Sequence, residues 1–170
     1  MKNTKHFRLL IVVFFVQLIA ILSISLSHEM IRLTGDAYKL KIEGYDPIDP
    51  LRGRYLAYRI GTERVTGNLG DYTGKCYITL ATDQDGYTYL DKAFKEKPKD
   101  RPYIVARRYG EQYYETPFTK YFLSEDIALK AETIMRDKLD KSYIIIKVKD
   151  GKSIVEGLYI EDKLIDNYFN

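Results

Sequence analysis

Hydrophobic positions follow two regimes along this chain. Residues 9–26 read LLIVVFFVQLIAILSISL, an unbroken apolar run in which Gln17 is the one strongly polar member. At about 1.5 Å per residue such a run spans about 27 Å, close to the hydrocarbon thickness of a bilayer. The spacing predicts a transmembrane helix over residues 9–27, an N-terminal extension over 1–8, and a short polar connector over 28–37. From residue 38 to the C-terminus the pattern changes to a separate domain with period two.

Tyr38-Lys39-Leu40-Lys41-Ile42 alternates apolar residues with lysine, as a strand with one wet face does. Tyr45-Asp46-Pro47-Ile48-Asp49-Pro50 excludes helix, because each proline holds the aspartate before it extended. Gly53 permits a turn into a second strand, Arg54–Ile60, with Leu56, Tyr58 and Ile60 on one face. A loop over Gly61–Gly74 leads to strands Lys75–Thr82 and Gly86–Phe94. They are joined at Asp83-Gln84-Asp85-Gly86, an Asp-Gly hairpin signal. Lys95–Asp100 reads as a charged loop, and Pro102–Tyr109 and Gln112–Phe118 as a further pair of strands around Gly110. One helix is expected over about residues 124–140. Ser124 stands at its cap, and Ile127, Ala131, Ile134, Met135 and Leu139 form its buried stripe. Tyr143–Lys149 and Ser153–Glu161 then flank a second Asp-Gly hairpin at Asp150-Gly151. The expected fold is α+β, mostly β: a transmembrane helix followed by an antiparallel barrel or sandwich-like domain carrying one helix.

Charge changes the picture once it is divided. Lys2, Lys5 and Arg8 precede the apolar run, which has no acid before or within it. The other 24 of the 27 basic residues face 24 acidic ones, so the domain is neutral and the net +3 sits at the N-terminus. A nucleic-acid binder needs its basic excess in the domain, so no nucleic-acid partner is expected. The positive-inside rule predicts a single-pass protein of the cytoplasmic membrane, with its N-terminus inside and the domain outside. The rival reading is secretion after cleavage near Ser25–Ser27, but the apolar run exceeds the usual core of a signal peptide.

Chemistry-bearing residues are sparse. Cys76 is the single cysteine and lies in an apolar run, which fits a small buried hydrophobe. His6 and His28 stand at opposite ends of the apolar run, and no Cys/His cluster exists, so neither a metal site nor a cofactor is expected. Asp83–Gly86 fails as a calcium loop, since Ala81 and Lys92 would occupy ligand positions. No serine occurs between Ser27 and Ser124, and a Ser-His-Asp arrangement has no suitable histidine. Paired carboxylates for hydrolysis can be drawn from many acids, with nothing to single out two. The 16 tyrosines suit half-buried strand positions and leave a tyrosine-lined barrel mouth as an alternative binding site. The most distinctive stretch runs from Asp46 to Tyr55. Asp46 and Asp49 are held extended by prolines, and Arg52, Gly53, Arg54 and Tyr55 follow. These six residues are the candidate ligand or partner-binding site, with Arg52 as its anchor; an Asp–Arg ion-paired, rigid connection is the structural alternative.

Asp46-Pro47-Ile48-Asp49-Pro50-Leu51-Arg52-Gly53, Lys75–Leu80 with Asp83–Gly86, and Tyr121–Glu125 followed by a helix and an Asp-Gly hairpin together resemble the GDYXXLXY family of bacterial membrane-anchored proteins. Gly53 and Tyr55 match the naming motif. Its Asp is Arg54 here, its Leu is Tyr58 and its last Tyr is Ile60. The resemblance implies a companion of a multi-spanning membrane protein, with no assigned activity. Leu51–Tyr55 is also faintly similar to the sheet region of signal peptidases, whose nucleophilic serine is absent here. The expected function is therefore a non-catalytic extracytoplasmic interaction domain with a membrane-protein partner. The alternatives are a small-molecule or cell-envelope glycan binding module and, behind it, a hydrolase.

Overall fold

The computed structural model describes residues 3–46, 55–67, 69–110 and 113–168. Helix α1 spans Asn3–Thr34. Among the described residues it alone is long and apolar enough to cross a membrane. It reaches beyond the expected 9–27 because its last turns are held by the domain. Ile31 is buried, and Lys149 Nζ donates to Thr34 Oγ1 at 2.6 Å. Residues 28–37 are therefore no connector. They are divided between the helix end and the first strand, with Gly35 as the turn. A Cβ at Gly35 would stand 2.5 Å from Ile31 O and 3.1 Å from Val148 O, so only glycine lets helix and sheet meet this closely.

Strands β1 (Asp36–Lys41), β2 (Gly44–Asp46) and β3 (Tyr55–Arg59) follow. Then come β4 (Gly74–Thr82), β5 (Thr88–Phe94), β6 (Tyr103–Tyr109), β7 (Tyr113–Glu115) and β8 (Lys120–Phe122). Helix α2 (Glu125–Asp137) precedes β9 (Ser142–Lys149), β10 (Lys152–Ile160) and β11 (Lys163–Leu164). Eight strands form one sheet in the order β11-β10-β9-β1-β5-β4-β6-β7, and β2-β3-β8 form a second. Two corrections to the expected architecture follow. The pairing is mixed, because β1 runs parallel to β5 at Leu40–Thr88. The large sheet is also not closed into a barrel. It curls until β6 meets the β9–β10 turn, where Val105 N donates to Gly151 O at 2.9 Å, but β11 and β7 remain its edges. Gly151 sits at φ +80, and a Cβ there would overlap the Tyr103 ring, so the curl depends on this glycine. Two open sheets fit the sandwich-like form.

Local readings explain most elements. Leu40 and Ile42 are buried while Lys41 is exposed, as the alternation requires. Both Asp-Gly turns link antiparallel neighbours, and Asp83 Oδ1 accepts from the Asp85 and Tyr87 amides at 3.0 and 2.8 Å. That hydrogen bonding accounts for Asp83 as a turn residue. In α2, Ala131 and Met135 are fully buried and Ile127 and Ile134 pack against the core. Leu139 reaches the core from a single 3-10 turn just past the helix end, so the helix stops short of the expected residue 140. Ser124 occupies the cap position but makes no side-chain cap hydrogen bond.

An ion cluster ties the C-terminal region to the end of α2. Lys138 and Lys141 Nζ lie 2.6 and 2.8 Å from the Glu161 carboxylate. Their hydrogen bonds, Lys138 first, pull the Glu161 pKa down to about 2. A carboxyl with a depressed folded pKa stabilises above its unfolded value and loses that contribution as pH falls through the folded one. Denaturant midpoints should therefore fall between about pH 4.5 and 2. The decrease should be shallower in Glu161→Gln, as urea titrations of both proteins at stepped pH would read.

Candidate functional site

The small sheet frames the Asp46–Tyr55 segment. Asp46 ends β2 opposite Ala57, and Tyr55 opens β3 opposite Phe122 on β8. The segment thus leaves and re-enters one end of the three-stranded sheet, as the connection of an antiparallel hairpin. Asp49, Arg52, Gly53 and Arg54 lie outside the described residues, and so does any pairing between them.

Beside the re-entry point stands Phe122, which is 74% exposed. Large aromatic side chains exposed at a sheet edge are enriched as interface anchors. Tyr113, on the edge strand β7, is 65% exposed. Exposed aromatics therefore mark edge strands of both sheets.

The other end of the hairpin behaves differently. Tyr58 is 3% exposed, and its buried hydroxyl has no hydrogen-bond partner. Burial, then the neighbouring Tyr121, holds its phenol above the ordinary range. Between β3 and β7 a cleft of about 510 Å³ is lined by Tyr58, Arg59, Tyr113 and Tyr114, with Glu43 and Glu63 at its side. Glu43 is paired with Arg64 at 3.3 Å. The expected tyrosine-lined barrel mouth has no counterpart, because the sheet is open, and the tyrosine-lined cleft lies between the sheets instead. Most other tyrosines have structural work. Tyr143 and Tyr159 stack at 5.2 Å with Lys39 Nζ 3.7 Å from the Tyr143 ring, and the Tyr143 hydroxyl donates to Asp162.

Several features were not legible as site residues. Arg108 is buried within β6 and donates from one guanidinium nitrogen to the carbonyls of Gly70 and Tyr72, at 2.7 and 2.8 Å, pinning the long loop before β4. Nothing in the run Arg107-Arg108-Tyr109 separates it from its exposed neighbour. Phe122 sits in a three-residue strand with no periodicity to mark it. Cys76 behaves as expected: it is fully buried, and burial pushes its thiol pKa up despite the opposing Arg108 charge.

A family model described as GDYXXLXY protein matches residues 17–158. No curated protein matches, and no solved structure does. The letters of that description can be laid on the chain twice, at Gly53–Ile60 and at Gly70–Tyr77, where Gly70, Asp71, Tyr72 and Tyr77 coincide and Lys75 stands for Leu. The Leu and last Tyr are two apart, so on a strand they share a face. Tyr58 and Ile60 put that pair toward the core, whereas Lys75 is exposed and Tyr77 half-buried on the outer side of β4. Geometry favours the first placement.

Proposed function

The chain belongs to the GDYXXLXY family, and from that premise we propose that it is a membrane-anchored interaction module whose domain docks onto another membrane protein. The observation that carries this reading is Phe122, exposed beside the point where the Asp-Pro segment enters β3. An exposed large aromatic beside the start of a strand whose preceding sequence carries two Asp and two Arg residues has the composition of an interface hot spot. The neutral domain, with Phe122 at its edge, suits a short-range apolar and ion-paired contact better than electrostatic adsorption to lipid. In this reading α1 is a retained anchor with the N-terminus in the cytoplasm and the domain outside. Burial of Ile31 against the domain supports retention, because cleavage near Ser25–Ser27 would cut within the same continuous helix.

A photo-reactive phenylalanine analogue at position 122, in the full chain in native membranes, should yield a discrete adduct with one partner. Arg52→Ala should lower that yield about tenfold, the weight of about 1.4 kcal/mol. The same analogue at Tyr89, on the other sheet, should give no such band. Equal yields from positions 122 and 89, or none from 122, would overturn the reading. The cleft lined by Tyr58, Tyr113 and Tyr114 favours a second reading, a glycan or small-molecule site that stacks sugar or ring faces on tyrosine. In that case ligand protection would map to Tyr113 and Tyr114 and leave Phe122 untouched.

A further inference from the structure

Where α1 meets the domain there is a groove of about 830 Å³. Its helix wall is Ser23, Ile24, Ser27, His28 and Ile31. Its domain wall carries Lys75 and Lys152, together with Val105, Pro117, Ser153 and Ile154. Three properties mark it. First, its charged lining is of one sign: two lysines, with no acid among the lining residues. The nearest acid on the helix, Glu29, is paired with Arg32 at 3.9 Å. Second, Ser153 is a lining residue, and its hydroxyl is buried without a hydrogen-bond partner. Third, its position along the helix is set by sequence. Ser23 and Ile24 belong to the end of the apolar run, and Ile31 lies about 12 Å further along. The groove thus straddles the level at which a spanning helix leaves hydrocarbon and enters the headgroup layer.

We infer that this groove seats one anionic phospholipid of the leaflet from which the domain emerges. The inference rests on the reading of α1 as a retained membrane span. The headgroup phosphate lies between the Lys75 and Lys152 ammonium groups and accepts a hydrogen bond from the Ser153 hydroxyl, which turns outward to meet it. The first methylenes of an acyl chain run along Ile24 toward the bilayer. Charge complementarity and level select the occupant. A protein segment of neutral composition would leave two lysines uncompensated, whereas an anionic headgroup at that depth meets both. The domain as a whole has no basic excess, so lipid selectivity would have to arise locally. Lipid seated here would also fix the tilt of the domain on its anchor, since Gly35 joins the two without slack.

The test uses the full chain in nanodiscs made from phosphatidylglycerol and phosphatidylcholine in equal amounts. Native mass spectrometry of the released protein counts the lipids it retains. The wild type should keep phosphatidylglycerol in preference to phosphatidylcholine. Lys75→Gln with Lys152→Gln should lower that retention roughly ten- to thirtyfold. Lys99→Gln with Lys163→Gln, the same charge change at exposed positions away from the groove, should leave it unchanged. Ser153→Ala, a smaller change, should lower retention without lowering the thermal transition. Equal retention of both lipids, or equal loss in the two double variants, would overturn the inference. A chain that never enters the discs would overturn the anchor reading, and the inference with it.

Discussion

Leu40→Ala should unfold the domain more readily than any surface change, lowering its stability by about 2–5 kcal/mol. Leu40 is fully buried in β1. That strand is the seam of the large sheet. On one side it pairs with β9 along its whole length, from Asp36 opposite Val148 to Lys41 opposite Tyr143. On the other side its register with β5 is the single position Leu40–Thr88 among the described residues. Apart from the Val105–Gly151 hydrogen bond at the curl, the sheet's two halves, β9–β11 and β4–β7, are thus joined through one short parallel contact with Leu40 at its centre. Truncation removes the side chain's burial and leaves a cavity where backbone pairing cannot tighten to close it. In the full chain held in detergent, the urea midpoint of the domain's circular dichroism should fall by roughly 1–3 M. Lys41→Ala, one residue on and facing water, should move it by less than about 0.5 kcal/mol. Similar losses from both would mean that the seam is not where the sheet is weakest.

Which parts of this architecture could be read beforehand follows from the range of the interactions that form them. The apolar run, the lysine-alternating β1 and both Asp-Gly hairpins are local patterns, and each appears close to its expected place. The three-residue strands β2 and β8 have too few positions for any period to emerge. They exist because of long-range register, Asp46 against Ala57 and Tyr55 against Phe122. The parallel β1–β5 contact joins residues far apart in the chain, so adjacent-strand reasoning turned a mixed sheet into an antiparallel one. Helix α1 runs past residue 27 because Ile31 packs on the domain, and a polar composition over 28–34 conceals one buried side chain. The candidate site divides in the same way. Proline geometry made the Asp46–Tyr55 segment conspicuous, but the exposure of Phe122 and the burial of Tyr58 depend on which strands lie next to β3.

Tyr58→Phe should stabilise the domain, by about 1–3 kcal/mol, a direction opposite to that of most core substitutions. The ring is retained, and what is lost is a buried hydroxyl with no partner. Folding strips that hydroxyl of water and returns nothing, so its removal recovers the desolvation cost. The family motif has leucine at this position, which accords with a site built for an apolar side chain. The pH dependence separates this account from a general packing effect. Burial raises the folded-state pKa of Tyr58 above its ordinary value of 10. Below that value both states hold the proton, and the wild type and Tyr58→Phe differ by a constant amount. Above it the unfolded chain ionises and the folded one does not, so the wild type loses stability that the variant, lacking the group, keeps. The gap between their urea midpoints should therefore widen as pH passes 10. The outcome also bears on function, because Tyr58 lines the cleft between β3 and β7. If a ligand there uses the hydroxyl, the variant gains stability and loses binding. If a partner docks at Phe122 instead, the crosslinked adduct forms in the stabilised variant at wild-type yield. A variant less stable than the wild type would show that the hydroxyl is satisfied in the folded protein, and that the cleft holds a group able to bond it.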